Sequence, residues 1–203
     1  MHASSRRSAC RLGKGSCTTL ASCLLAAWFG ASIVAPALAQ PAPNEPTLEL
    51  VDQSGGPFSG AALVGRPYAI FFGFTHCPDV CPTTLLAISN ALQRLGPQAA
   101  RLSILFVTVD PERDTPEELR QYLASFDTRI TGLTGTEAQI AAAARGWKAY
   151  HNKILDDDGT YTIVHSAYVY LMDRANRLVG TMGFQDSEEE QVAKLRSLLE
   201  GGQ

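Results

Sequence analysis

Two cysteines, Cys77 and Cys81, lie four positions apart in the stretch FTHCPDVCPTT (residues 74–84), and a proline follows each of them. Paired thiols at this spacing suit three roles: a redox couple, two ligands of a soft metal ion, or a disulfide that staples a loop. A disulfide here would close a very short loop and would constrain the unfolded chain little. The spacing therefore favours redox chemistry or metal binding over a structural staple.

The elements around these cysteines alternate between strands and helices. An apolar run at 66–74 predicts a buried strand that leads directly into the cysteine stretch. Leu85, Ile88, Leu92 and Leu95 recur at helical spacing, which predicts a helix that begins near Cys81 and ends at Gly96-Pro97. Further strands are predicted at 47–51, 102–109, 130–133, 167–172 and 177–182, and further helices after capping sequences at Thr115, Thr136 and Ser187.

This order of elements predicts an α/β domain with a thioredoxin-like fold. We expect a central, mainly parallel sheet with flanking helices, completed by a C-terminal β-hairpin and a last helix. The cysteines would then lie at the carboxyl end of a buried strand and at a helix N-terminus, where ligands bind and where the helix dipole favours thiolates. Dithiol oxidoreductases of this fold use Cys-x-x-Cys. The loop here is one residue longer; it can still close a disulfide, and it can equally hold two thiolates so that both face one soft ion.

A histidine would complete a metal site. Two thiolates select copper(I) or zinc, and an added imidazole also allows copper(II). A closed zinc site takes four ligands, so two sulfurs and one nitrogen suit copper better. The fold places His165, just before strand 167–172, opposite the cysteines, at a position where thioredoxin-like domains usually carry a cis-proline. His76 adjoins Cys77 but is expected to point away from it, and His151 is expected to be a solvated imidazole near a helix end.

The first 39 residues have the layout of an export signal. Four basic residues come first, an apolar run follows, and the segment ends in Ala37-Leu38-Ala39. We expect a signal peptide, cleaved after Ala39, or an N-terminal membrane anchor, because the run nearly reaches spanning length. A Pro-rich tether at 40–46 and a single domain at 47–203 would follow. The location implied is the bacterial periplasm, with the domain either soluble or tethered to the inner membrane.

Charge limits the partners of the mature domain. Loss of the segment removes four of the 17 basic residues and none of the 20 acidic ones, which gives a net charge of −7. That balance argues against nucleic acid and anionic lipid as partners and allows cationic ones, including metal ions. Cys10, Cys17 and Cys23 lie in the same segment, so Cys77 and Cys81 would be the only cysteines of the mature domain.

Three motifs in order resemble the Sco/SenC family of copper-handling proteins. These are FFGFTHCPDVCPTT at 71–84, TVDPERDTPE at 108–117, and VHS at 164–166 before a strand that ends in LMD at 171–173. The likeness covers roughly residues 47–200, and the Cys-Pro-Asp-Val-Cys-Pro segment is its most specific part. The resemblance implies that Cys77, Cys81 and His165 are copper ligands. It also implies that Asp79 tunes the site or meets a partner, and that Asp110 and Arg113 stabilise the loop after a central strand.

The resemblance further implies a role in the assembly of cytochrome c oxidase. The domain would bind Cu(I) or Cu(II) and deliver it to the binuclear copper centre of an oxidase subunit, with another copper carrier or a thiol reductase as a further partner. An enzymatic alternative remains open: Cys77 and Cys81 could act as a redox pair that reduces the copper-ligand cysteines of that subunit. A thiol peroxidase shares the fold plan but is disfavoured by the paired cysteines.

Overall fold

A computed structural model describes residues 48–201 of the chain. The predicted signal segment and tether lie outside these residues. Within 48–201, no helix combines the length and the apolar character needed to cross a bilayer. The strands are β1 (Glu49–Asp52), β2 (Pro57–Ser59), β3 (Tyr68–Gly73), β4 (Ser103–Thr108), β5 (Ile130–Thr134), β6 (His151–Leu155), β7 (Tyr161–His165), β8 (Tyr168–Met172) and β9 (Leu178–Gly183). The α-helices are α1 (Val80–Leu95), α2 (Pro116–Leu123), α3 (Glu137–Gly146) and α4 (Glu188–Glu200).

Seven strands form one sheet in the order β2-β1-β5-β4-β3-β8-β9. The central strands β5, β4 and β3 run parallel, while β1, β2, β8 and β9 pair antiparallel on either side. The α/β, thioredoxin-like fold predicted from the sequence is confirmed, including the hairpin β8–β9 and the last helix. This topology places the end of β3, which leads into the cysteines, near the middle of the sheet.

Two apolar layers enclose the sheet because the side chains of β3 alternate between its faces. Ala69 and Phe71 point into the layer formed with α1, α2 and α4. Ile70 and Phe72 point into the opposite layer, which includes α3 and part of the β6–β7 hairpin. Every residue of β3 is buried, as expected for a central strand covered on both faces.

The helix starts follow the predicted caps. Thr136 and Ser187 form complete capping boxes at the starts of α3 and α4, with reciprocal side-chain hydrogen bonds to the third helical residue. At α2 only half of the expected box forms: the Thr115 hydroxyl accepts the backbone N–H of Glu118, and Pro116 occupies the first helical position. Gly201 adopts the left-handed conformation that ends α4.

The strands β2, β6 and β7 depart from the sequence prediction, which assigned no strand to these segments. The pair β6–β7 forms a separate two-stranded sheet in which His151 faces His165 across the ladder. His151 therefore begins a strand rather than following a helix end, and His165 is the last residue of β7. Consequently the hairpin, and not only the loop before β8, positions His165.

Candidate metal site

The cysteines lie where β3 gives way to α1. Cys77 lies in the connecting loop, and its backbone N–H donates to the carbonyl of Phe74. Cys81 lies in the first turn of α1, and its backbone N–H donates to the sulfur of Cys77 at 3.5 Å. One of the free N–H groups at the helix start is thus directed at a thiol, as expected for a helix N-terminus that favours a thiolate.

Gly73 makes room for the buried sulfur. A Cβ atom at this position would lie 2.8 Å from the Cys81 sulfur and 2.7 Å from a ring carbon of Phe106. Both neighbours are fully buried, so neither has space into which to move. The last residue of β3 must therefore lack a side chain if Cys81 is to point toward the end of the strand.

His165 reaches the cysteines from the end of β7. Its Nε2 atom lies 3.3 Å from the Cys81 sulfur, and its Nδ1 atom lies 3.0 Å from the backbone carbonyl oxygen of Ser166. A carbonyl oxygen only accepts, so Nδ1 carries the proton and Nε2 presents its lone pair to the sulfurs. The ring also packs edge-on against Phe74 at 5.7 Å between centroids, which fixes its orientation.

These three side chains form a compact donor set. The sulfurs of Cys77 and Cys81 and a ring nitrogen of His165 all lie within 4.8 Å of one another. They are the only group of three or more such ligands that the structure brings together within residues 48–201. Cys81 is buried, while Cys77 and His165 are partly exposed. Two sulfurs and one imidazole nitrogen suit a soft or borderline ion that is reached from the surface.

The pKa values of the two thiols are shifted in opposite directions. The hydrogen bond from the Cys81 thiol lowers the pKa of Cys77, against the opposing effect of burial, and the backbone N–H groups of Cys81 and Asp79 lower it further. The same contact with Cys77, together with burial, raises the pKa of Cys81. A shared proton is thus favoured on Cys81 over Cys77, and a bound cation would favour its loss.

Asp114 supports the cysteine loop from behind. Its buried carboxylate accepts hydrogen bonds from the backbone N–H of Thr75 at 3.0 Å, from the Thr75 hydroxyl at 2.6 Å and from the Thr108 hydroxyl at 2.6 Å. Burial raises the pKa of Asp114, and these hydrogen bonds oppose that shift. Asp114 thereby ties the loop before Cys77 to the end of β4. No role was predicted for Asp114 from the sequence, although it lies within the TVDPERDTPE motif at 108–117.

The other acidic residues singled out in the sequence, Asp79 and Asp110, differ in burial and in their partners. Asp79 is exposed between the cysteines, precedes the first residue of α1 and makes no side-chain capping bond. The Asp79 carboxylate accepts a hydrogen bond from the Thr83 hydroxyl at 3.4 Å. Asp110 is buried beside Arg113 and accepts the Tyr161 hydroxyl at 2.9 Å, while the Arg113 guanidinium lies 3.9 Å from the centre of the Tyr161 ring. Asp110 and Arg113 join the loop after β4 to β7, which is the structural role predicted for them.

The two remaining histidines of the described chain lie outside the donor set. His76 is exposed beside Cys77. His151 faces His165 across the β6–β7 ladder but lines a cavity of about 310 Å³ together with Glu112, Glu137 and Lys153. That cavity lies between the loop after β4, α3 and the hairpin, and neither cysteine lines it.

Known proteins match this chain in sequence. The family model described as SCO1/SenC matches residues 37–200. An SCO2-like protein of Rickettsia prowazekii is 40% identical over 131 residues, which cover 64% of each chain. The mitochondrial protein SCO2 of Saccharomyces cerevisiae is 32% identical over 154 residues, covering 74% of this chain and 51% of that protein. The match thus spans just under two thirds of the first relative and about half of the second.

Solved structures match the fold. ScoI of Bradyrhizobium japonicum with copper bound is 43% identical, with a TM-score of 0.70 over 75% of this chain and 97% of that one. Yeast Sco1 with copper bound is 32% identical, with a TM-score of 0.69 over 76% of this chain and 87% of that one. The proteins in these two structures therefore bind copper on a domain that closely resembles residues 48–201.

Proposed function

Because this chain belongs to the SCO1/SenC family, we propose that it binds copper as cargo and delivers it during the assembly of cytochrome c oxidase. Cys77, Cys81 and His165 would hold the ion. The receiving partner would be the oxidase subunit that carries the binuclear copper centre. Another copper carrier, or a thiol reductase that keeps the cysteines reduced, would act before it.

The observation that supports this proposal most strongly is the convergence of the three donors within 4.8 Å, with Nε2 of His165 directed at the sulfurs. Neither cysteine of the described chain is in a disulfide, so both sulfurs are available to bind copper as thiolates. Three protein ligands also leave the ion open to a ligand from a partner, so that transfer can proceed by ligand exchange without release of free copper. The partial exposure of Cys77 gives a partner access.

The place of action follows from the N-terminal segment. We propose export to the periplasm, with the domain either released after Ala39 or kept at the inner membrane by residues 1–39. N-terminal sequencing of the protein recovered from the periplasm and from the membrane fraction tests this part. A mature N-terminus at Gln40 supports release, and an intact N-terminus in the membrane fraction supports anchoring.

Copper titration tests the ligand set. We expect the reduced protein to take up one Cu(I) per chain in competition with a chromogenic chelator. Loss of one thiolate in Cys77→Ser or Cys81→Ser, or of the imidazole in His165→Ala, should weaken uptake because each change leaves only two ligands. Unchanged stoichiometry and affinity in His165→Ala would refute its role as a ligand. Electron paramagnetic resonance of the loaded protein then distinguishes Cu(II), which is visible, from Cu(I).

The unequal thiols favour a second candidate function, reduction of the oxidase's copper-ligand cysteines. Cys77, partly exposed and with a lowered pKa, would attack a partner disulfide as a thiolate, and Cys81 would resolve the mixed disulfide. Atoms and electrons balance if the pair is oxidised to one disulfide while the partner gains two thiols. His165→Ala separates the two functions. Lost oxidase assembly at an unchanged dithiol potential supports delivery, whereas assembly that depends on the cysteines alone supports reduction.

A further inference from the structure

We propose that His76 is an entry ligand, which takes the copper ion from a donor and passes it to Cys77. This inference rests on the proposed function, because it concerns how the same site is loaded and unloaded. His76 is not among the three donors that converge on one point. It adjoins Cys77 in the chain, and about half of its side chain is exposed, at 53%. It is therefore placed to meet an ion before the inner ligands do.

A hydrogen bond holds the His76 ring rather than leaving it free in solvent. Its Nδ1 atom lies 3.0 Å from the Thr75 hydroxyl oxygen and 3.9 Å from a carboxylate oxygen of Asp114. The Thr75 hydroxyl in turn donates to Asp114 at 2.6 Å. Asp114 is fully buried and anchored by Thr108, so the chain from carboxylate to hydroxyl to imidazole begins at a rigid point.

The direction of these hydrogen bonds determines which ring nitrogen is available. The Thr75 hydroxyl donates to Oδ1 of Asp114, while Oδ2 accepts the backbone N–H of Thr75 and the Thr108 hydroxyl. The Thr75 oxygen then has only a lone pair to offer His76, and Nδ1 of His76 must donate to it. The lone pair of His76 is consequently on Nε2, where an ion can bind it.

The His76 and His165 rings are thus oriented by the same kind of hydrogen bond but differ in their exposure. In each ring Nδ1 donates to an oxygen of the chain, and Nε2 is left free to bind. Such an oriented imidazole is typical of metal-ligating histidines. Nε2 of His165 faces the buried Cys81, whereas the His76 ring lies on the exposed side of the loop. Exposure falls along the path from His76 through the partly exposed Cys77 to the buried Cys81.

The transfer step is a ligand exchange without a change of oxidation state. The donor's bond to copper is replaced by a bond to Nε2 of His76, and this bond is then replaced by one to the Cys77 thiolate. As Cys81 and His165 complete the set, the remaining thiol proton of the pair passes to solvent. His76 is again free afterwards, and the same steps in reverse serve delivery. A residue that acts only on this path changes the rates of loading and unloading by the same factor and leaves the equilibrium affinity alone.

Stopped-flow kinetics with the full-length protein test the proposal. The reduced protein is mixed with the Cu(I)–bicinchoninate complex, and uptake is followed by loss of the chelator's colour. The reverse reaction is followed by adding excess chelator to the loaded protein. In His76→Gln we expect both rates to fall by about tenfold, since a ligand beside the site supplies a high local concentration of donor. Their ratio should match that of the unmodified protein.

Two further variants make the test specific. Thr75→Val removes the hydroxyl that orients His76 and should slow both rates, while Thr75→Ser restores the hydroxyl and should restore them. His151→Gln is the matched control, because it removes a partly exposed imidazole outside the donor set and should leave both rates unchanged.

Three results would overturn the proposal: unchanged rates in His76→Gln, an equal slowing in His151→Gln, or a loss of equilibrium affinity in His76→Gln that would make His76 a resident ligand. Failure of the unmodified protein to take up copper at all would instead overturn the proposed function itself.

Discussion

Gly73→Ala provides a sharp test of how the fold positions the buried sulfur. The new methyl carbon would lie 2.8 Å from the Cys81 sulfur and 2.7 Å from a ring carbon of Phe106. Favourable contacts between such atoms begin at about 3.5 Å, so the sulfur must move away by about 0.7 Å and the Phe106 ring by about 0.8 Å. The strand itself is held in place, because the Gly73 carbonyl accepts the backbone N–H of Val109 at 2.8 Å.

The displacement has two measurable consequences. Overpacking a filled core costs about 1–3 kcal/mol of unfolding free energy, which urea denaturation followed by circular dichroism would detect. Metal–ligand distances are held to within about 0.2 Å, so a sulfur displaced by several times that amount binds copper poorly. We expect Cu(I) affinity to fall by about 10- to 100-fold, the range seen when the support of a metal ligand is lost.

A second glycine supplies the control for this experiment. Gly180 in β9 has no atom within 4 Å of the position that a Cβ would take, so Gly180→Ala should change stability by no more than about 0.5 kcal/mol and leave copper binding unchanged. If Gly73→Ala unfolds at the same urea concentration and binds copper as tightly as the unmodified protein, the steric explanation for this glycine is wrong.

Two further predictions concern the carboxylates. Asp114→Asn should reduce the unfolding free energy by about 1–3 kcal/mol, because an amide cannot accept hydrogen bonds from all three donors. Urea denaturation measures this loss. Asp157→Asn, in the exposed 156–159 loop, is the control. Asp173 has a lowered pKa because, although burial raises it, hydrogen bonds from Arg177 and Ala175 outweigh burial. Its stabilisation is therefore present above the unfolded pKa, about 3.9, and lost as the pH falls through the lowered folded value. Asp173→Asn should destabilise the protein at pH 7 by about 1–3 kcal/mol, and the difference should shrink as the pH falls below about 4; a difference that is constant from pH 7 to pH 2.5 would contradict this assignment.

Local patterns in the sequence predict the parts of the fold that depend on local physics. The starts of α3 and α4 follow from side chains that cap their own helices, Thr136 and Ser187. The buried strand β3 follows from an unbroken apolar run. The strands β6 and β7 give no such signal, because most of their side chains are exposed and only Ile163 is buried. Their pairing depends on tertiary packing against the opposite layer, which the local sequence does not reveal.

The candidate site likewise combines residues that the local sequence reveals with residues that only the fold brings together. The spacing of Cys77 and Cys81 marks them as a redox or metal-binding pair. His165 is 84 residues from Cys81 and could be placed beside it only through the fold and the family resemblance. Asp114 was overlooked because an aspartate that opens no helix and lies in a loop is usually solvated. Its burial arises from the approach of the Thr75 loop, 39 residues away in the chain. Long-range contacts of this kind leave no mark in the local pattern.

X-ray absorption spectroscopy of the Cu(I)-loaded protein tests the central claim most directly, because it identifies the atoms bound to the ion. We expect two sulfur ligands and one imidazole nitrogen in the unmodified protein. In His165→Ala the imidazole signal should be lost and both sulfurs kept. A loaded protein without an imidazole ligand, or a His165→Ala variant that retains one, would contradict the assignment of Cys77, Cys81 and His165 as the copper site.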